Sequence, residues 1–184
     1  MAKGFSLHIG VNAVDPVHYS GWSGELAACE FDAESMLEIA QQCGYEAGSL
    51  VTAQATRKAV TDAIRSAALQ LVAGDIFVVS YAGHGGQVPD KNGDEPDGAD
   101  ETWCLYDGML IDDELHDLWG KFASGVRVLV VSDSCHSGTV TRAAQGGFNL
   151  KEAAEQLKAY GIDNARFRFM PPTEAVKTYR ANKS

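Results

Sequence analysis

The sequence predicts an α/β domain with a mostly parallel sheet, and three observations carry that expectation. The run DIFVVSY at 75–81 is apolar without alternation through its centre, as a strand buried on both faces is. Segments of helical periodicity separate the strand-like runs, so the order reads β-α-β-α-β and later α-β. At 184 residues the chain has room for one domain with a sizeable core, and too little for two ordinary ones.

Each element has its own justification. Phe5, Leu7, Ile9 and Val11 alternate, giving a first strand with one apolar face. A loop with Pro16, Gly21 and Gly24 leads into a helix over 25–43. There Leu26, Cys29, Ala33, Met36, Leu37 and Ala40 recur at helical spacing, and Gly44 offers a C-cap. Residues 49–52 read as a short second strand. Thr56 suits the N-cap of a helix running to Leu71, with Val60, Ile64, Ala67 and Leu71 on one side. After the 75–81 strand comes a Gly- and Asp-rich loop, then a strand near 102–106. Asp112 and Asp113 open a helix carrying Leu115, Leu118, Trp119 and Phe122, and 126–131 is the last strand. Beyond it, Asn149 caps a helix over 150–160, and 166–184 offers only a short Phe-x-Phe, Pro171-Pro172 and a polar tail. Residues 1–184 are thus one domain, with 143–184 as linker and tail.

Charge and cysteines narrow the function classes. The net charge of −10 argues against generic binding to nucleic acid or an anionic membrane. Nearly all of it sits between Asp90 and Glu114, where ten acids face one base, Lys91. Cys29, Cys43, Cys104 and Cys135 form no CxxC pair and no spacing with histidines, against a zinc site or a disulfide framework. No apolar run approaches the roughly 20 residues of a membrane helix, and the first residues are too polar for a signal peptide. The expectation is a cytoplasmic protein with no nucleic-acid and no membrane partner.

The chemistry gathers at two strand ends, where parallel sheets hold their ligands. One reads SYAGHGG at 80–86, the other SDSCHSG at 132–138. A histidine can take the proton of a thiol and raise its thiolate fraction at neutral pH. Adjacent backbone N–H groups can stabilise an oxyanion. A lone loop histidine or a lone thiol would be structural; His84 and Cys135, each just past a long apolar strand, point to a pair. His8, His18, His116 and His136 lack that setting and are expected to be structural, and Cys43 and Cys104 fall on apolar positions expected in the core.

Four motifs in order, YAGHGGQ (81–87), DKNGDEPDGADE (90–101), IDDE (111–114) and DSCHSG (133–138), resemble the metacaspases and their prokaryotic relatives, caspase-like cysteine peptidases. The resemblance spans roughly 5–139. It implies a caspase-like α/β/α sandwich, its mostly parallel central sheet flanked by helices, and a cysteine endopeptidase acting on protein or peptide substrates. By the same resemblance Cys135 is the nucleophile, His84 the general base, and the N–H groups of Gly85 and Cys135 the oxyanion donors.

Asp133 bears on specificity. Caspases proper carry Gln two positions before the cysteine and cleave after Asp; a carboxylate there would repel an acidic P1 side chain and pair with Arg or Lys. Metacaspases cleave after basic residues and place a Cys and an Asp, three apart on the first helix, in the same pocket. Cys29 and Asp32 match that spacing, one helical turn apart. For Asp32 two readings stand, a pocket wall or a solvated helix acid.

The dyad chemistry calls for no cofactor. Calcium-dependent metacaspases hold Ca2+ with acids resembling Asp100, Asp112 and Asp113, and add an Asp where this chain has Arg142. The other reading of these residues is a solvated acidic loop, and the partial EF-hand spacing from Asp90 to Glu101 lacks the glycine at its sixth position. Two rivals differ in class. A cysteine phosphatase needs five residues between Cys and Arg where Cys135 and Arg142 have six, and the negative field opposes phosphate. A non-catalytic calcium- or partner-sensing module would have no need of both His84 and Cys135.

Caspase-like folds continue into a small subunit whose strands complete the sheet. Only 49 residues follow Cys135, and none reads as a long apolar strand. A small-subunit segment is therefore an expected partner, and the chain reads as a large-subunit-like piece. Self-cleavage after a basic residue, which the resemblance implies, has Arg142, Lys151 and Lys158 as candidates.

Overall fold

The computed structural model of the chain describes residues 2–89, 99–134, 170 and 172–181. In chain order its elements are β1 (Gly4–Gly10), α1 (Cys29–Gln42), β2 (Glu46–Val51), a 3-10 turn (Thr52–Gln54), α2 (Arg57–Gln70), β3 (Ile76–Ala82), β4 (Gly85–Pro89), β5 (Ala99–Leu105), β6 (Gly108–Ile111), α3 (Asp112–Trp119), β7 (Arg127–Asp133) and α4 (Pro172–Ala181).

Four parallel strands form the main sheet in the order β2-β1-β3-β7. The chain steps from β1 to β2 through α1, then crosses back through α2 to β3 on the other side of β1. The order reverses there, so the carboxyl ends of β1 and β3 flank the crevice in which such sheets bind ligands. β1 and β3 are largely buried, as the continuous apolar run of β3 requires. Leu7 and Ile9 join Val60 and Ile64 of α2 in the main core. On the opposite face Gly10 lies so close to the Cys29 carbonyl and the Ala33 side chain of α1 that any larger residue would collide. Helices on both faces make the α/β/α sandwich. None of the described helices is long and apolar enough to cross a membrane.

Two local signals act as expected. Thr56 caps α2, its hydroxyl accepting the Ala59 N–H at 3.1 Å. Asp75 ties the start of β3 to its surroundings by accepting the N–H of Lys3 at 2.7 Å and of Val72 at 2.9 Å. Those two donors hold its carboxyl below the usual aspartate range.

Other boundaries differ, each for a tertiary reason. The first helix begins at Cys29 and not at 25, because Asn12 takes the preceding backbone: its carbonyl accepts the Leu26 N–H and its side-chain oxygen the Cys29 N–H. β2 begins at Glu46, recruited by pairing with Phe5 of β1 rather than by its own apolar pattern. β4 and β6 are additions. With β5 they form an antiparallel sheet, although GGQVP has little intrinsic strand preference. Residues 172–181, read as polar tail, form α4, with Pro172 at the first helical position, where it is well tolerated. Cys43 is exposed at the end of α1 and not in the core. β7 alternates, with Leu129 and Val131 52% and 42% exposed, while Val128 and Val130 pack on the core. Among the described residues it pairs only with β3. The helix expected over 150–160 lies outside the described residues, as do Cys135, His136, Arg142, Lys151 and Lys158.

Candidate active site

β3 and β7 run parallel with Ala82 beside Asp133. His84 is two residues past Ala82, and Cys135, outside the described residues, is two residues past Asp133. The sheet register therefore brings Ala82 and Asp133 to the same level.

The turn into His84 is tightly specified. A side chain on Gly83 would meet the Tyr81 hydroxyl at 2.5 Å, so only glycine fits. That hydroxyl lies 2.8 Å from the His84 carbonyl and 3.0 Å from the Cys104 carbonyl, and the Tyr81 ring stacks on Trp103 at 4.7 Å. The Cys104 N–H also donates to the His84 carbonyl, at 2.9 Å. The backbone under the imidazole is thus held from two sides.

The side chain is held as firmly. His84 is 4% exposed, with the Trp22 ring 4.8 Å away and the Gly24 carbonyl 2.8 Å from Nε2. A carbonyl oxygen only accepts, so Nε2 carries the proton and Nδ1 is the basic nitrogen of the neutral ring. Gly24 adopts φ +53°, and a Cβ there would come within 2.6 Å of Trp22. In the sequence Gly24 is one of the glycines of the loop that precedes the first helix. A backbone carbonyl has no residue signature, so the sequence offers no sign of this contact.

Gly85 pairs with Trp103, and because the Cys104 N–H goes to the His84 carbonyl, this is a non-hydrogen-bonded pair of the antiparallel ladder. Both polar groups of Gly85 therefore point away from β5, leaving its N–H directed outward beside the imidazole. On the β7 side, the Trp103 indole N–H donates to the Ser132 hydroxyl at 3.1 Å, and that hydroxyl is 3.1 Å from the Ser134 hydroxyl. These contacts fix the two serines that precede Cys135.

A cavity of about 250 Å³ opens between α1 and the carboxyl ends of β3 and β7, lined by Asp32, Met36, Ser80, Ala82, Val131 and Asp133 among others. Two carboxylates in one small cavity favour a cationic guest. Of the three residues matched to a specificity pocket, the structure brings Asp32 and Asp133 together. Cys29 is fully buried and does not line the cavity. Behind Ser80, the buried His8 bridges the Ser80 and Ser6 hydroxyls at 2.8 and 3.0 Å, and burial keeps its pKa below the ordinary histidine value.

The acids matched to a calcium site converge only in backbone register. Thr102 pairs with Ile111, so Asp100 and Asp112-Asp113 fall at one end of the β5–β6 hairpin. Asp100 is buried, and the Asp113 N–H donates to the Asp112 carboxylate at 3.0 Å. Among the described residues, no three His, Cys, Asp or Glu side chains are grouped closely enough to hold a metal ion. Asp90, Asp94, Glu95 and Asp97 lie outside those residues.

Known proteins resemble the chain in sequence and in fold. A family model described as metacaspase, peptidase C14 domain, matches residues 6–143. Metacaspase-1 of Schizosaccharomyces pombe is 36% identical over 148 residues, which cover 72% of this chain and 33% of that protein. Metacaspase-4 of Arabidopsis thaliana is 32% identical over 170 residues, covering 83% of this chain and 40% of its own length. Protein GSU0716 from Geobacter sulfurreducens, a crystal structure, is 57% identical with a TM-score of 0.79, covering 98% of this chain and 62% of that one. The chain thus spans between a third and two fifths of these two curated relatives.

Proposed function

The chain belongs to the metacaspase family of C14 peptidases, and from that premise we propose that it is a cysteine endopeptidase cleaving after Arg or Lys. The observation that carries the reading is that the cavity lined by Asp32 and Asp133 opens at the paired ends of β3 and β7, with His84 two residues past the end of β3.

In the proposed reaction the Arg or Lys side chain enters the cavity, and its charge is met by Asp133 and Asp32. His84 Nδ1 takes the Cys135 proton, and the thiolate attacks the carbonyl carbon on the carboxyl side of that residue. The carbonyl electron pair moves to oxygen, where the Gly85 and Cys135 N–H groups stabilise it. Collapse of the intermediate breaks the C–N bond, and the His84 imidazolium gives its proton to the leaving amine. Water, deprotonated by His84, then cleaves the thioester and releases the new carboxylate. The Gly24 carbonyl accepts from Nε2, which leaves Nδ1 as the base, and it helps to stabilise the imidazolium.

No step is assigned to a cofactor. The hairpin end that carries Asp100, Asp112 and Asp113 is the proposed place for calcium to act, by neutralising their carboxylates. A small-subunit segment pairing along β7 is the proposed partner; the exposed Leu129 and Val131 support it. Self-cleavage at Arg142, Lys151 or Lys158 would follow from the same specificity.

A peptide panel tests the reading. Arg-P1 and Lys-P1 peptides should be cleaved and Asp-P1 peptides spared, with Cys135→Ala abolishing turnover in a folded protein. Preference for Asp at P1 would sink the pocket argument. Unchanged turnover in Cys135→Ala would sink the nucleophile. Rates across a calcium and chelator titration decide whether the acids recruit an ion.

A further inference from the structure

Met170 stands far beyond Cys135 in the chain, yet it is fully buried against β4. Its N–H donates to the Gly85 carbonyl at 2.9 Å. Its sulfur is 3.8 Å from the Cys104 sulfur. Gly86 packs beneath it closely enough that an added Cβ would touch Thr102, Cys104 and Met170 within 3.6 Å. Two residues later α4 begins, and Ala175 and Thr178, one turn apart, are both buried as the helix lies along β4. The segment 170–181 thus grips the strand that starts at the proposed oxyanion donor.

That grip acts at a glycine of the site. A glycine lets the peptide planes on either side of it swivel independently. On one side of Gly85, Tyr81 and the Cys104 N–H hold the His84 carbonyl. On its other side the register turns the Gly86 N–H toward Thr102 of β5, while the Gly85 carbonyl faces away from β5 and takes its donor from Met170. We propose that Met170, docked through α4, is a positioning residue for the His84–Gly85 loop, locking the Gly85 N–H in the direction an oxyanion requires. The proposal rests on the peptidase reading above, but the docking can be read without turnover.

The test compares Met170→Pro, which deletes the N–H, with Met170→Leu, which keeps it. Turnover of an Arg-P1 peptide is measured alongside amide exchange at Gly85 and Gly86 and alkylation of the buried Cys104. In Met170→Pro, kcat should fall about tenfold or more, since displacements of order 1 Å cost up to ~10²-fold. KM should stay within about twofold, the signature of an interaction used mainly in the transition state. Gly85 and Gly86 should exchange faster than in Met170→Leu, which should match the unmodified chain. Should Met170→Pro fail to fold, Ala175→Glu displaces α4 with the Met170 N–H intact; it should expose Cys104 and lower kcat together. An unchanged kcat in either folded variant overturns the proposal, and so does an equal loss in Met170→Leu. If the unmodified chain cleaves no basic peptide, the peptidase reading fails, and exchange decides the positioning claim: equal rates in the Pro and Leu variants overturn it.

Discussion

Replacing Gly24 by alanine should cripple the histidine without touching it. Gly24 combines φ +53°, a left-handed backbone, with the carbonyl that accepts the His84 Nε2 proton at 2.8 Å. An L-residue pays about 1–2 kcal/mol to adopt that conformation. The new Cβ would stand 2.6 Å from one Trp22 carbon and 2.8 Å from another, roughly 1 Å inside normal carbon contact of ~3.5–4.0 Å. Trp22 cannot absorb this quietly, since its ring rests 4.8 Å from the imidazole. A 1 Å displacement at a catalytic group costs up to ~10² in rate, or about 2.7 kcal/mol of transition-state stabilisation. Stability should fall by about 1–3 kcal/mol, lowering Tm by roughly 2–4 °C for each kcal/mol in a chain of this size.

The assay is steady-state cleavage of an Arg-P1 peptide well below Tm, with thermal unfolding followed in parallel. Gly21→Ala is the control. Its φ is +93°, equally unsuited to alanine, but an added Cβ there meets nothing within 4 Å. The control should lose stability and keep kcat, whereas Gly24→Ala should lose both. Equal kcat losses in the two variants would refute the positioning argument, and so would full activity in Gly24→Ala.

Three further outcomes are expected. Asp133→Asn, and separately Asp32→Asn, should each lower kcat/KM for Arg-P1 peptides about 10- to 100-fold, the worth of a charged hydrogen bond at ~1.5–3 kcal/mol; a neutral pocket with unchanged preference would contradict the electrostatic account. Tyr81→Phe removes a hydroxyl that bonds the His84 and Cys104 carbonyls; it should cost about 1–2 kcal/mol by denaturant titration, with kcat falling as well. Asp75→Asn tests acid stability. The native carboxyl titrates below its unfolded value, so its stabilisation is present above the unfolded pKa and disappears as pH falls through the folded one. A plot of Tm against pH should therefore fall in the acid range for the native chain and be flatter for Asp75→Asn; parallel curves would show that Asp75 is not the titrating anchor.

Much of the sheet could be read directly from residue order, because its signals are local. The unbroken apolar run of β3, the Thr56 cap and the apolar stripe of α2 act over a few residues, and the fold keeps them. The same locality marks His84 and Cys135 as residues just past strands and Asp133 as one at a strand's end, and family membership agrees with the kind of protein that this pattern belongs to. What the sequence could not encode locally was decided by contacts between distant segments. β4 is a strand because Trp103 and Thr102 pair with two glycines, not because glycine prefers strands. α4 is held by burial of Ala175 and Thr178, which a polar tail does not announce. Whether Asp32 faces solvent or a pocket has no local signal; the packing of α1 sets it on the wall of the same cavity as Asp133, and buries Cys29 of the same helix. The Gly24 carbonyl, which selects the histidine tautomer, belongs to the backbone that every residue shares. Side-chain chemistry can be read along the chain; the direction of a carbonyl depends on where the rest of the chain holds it.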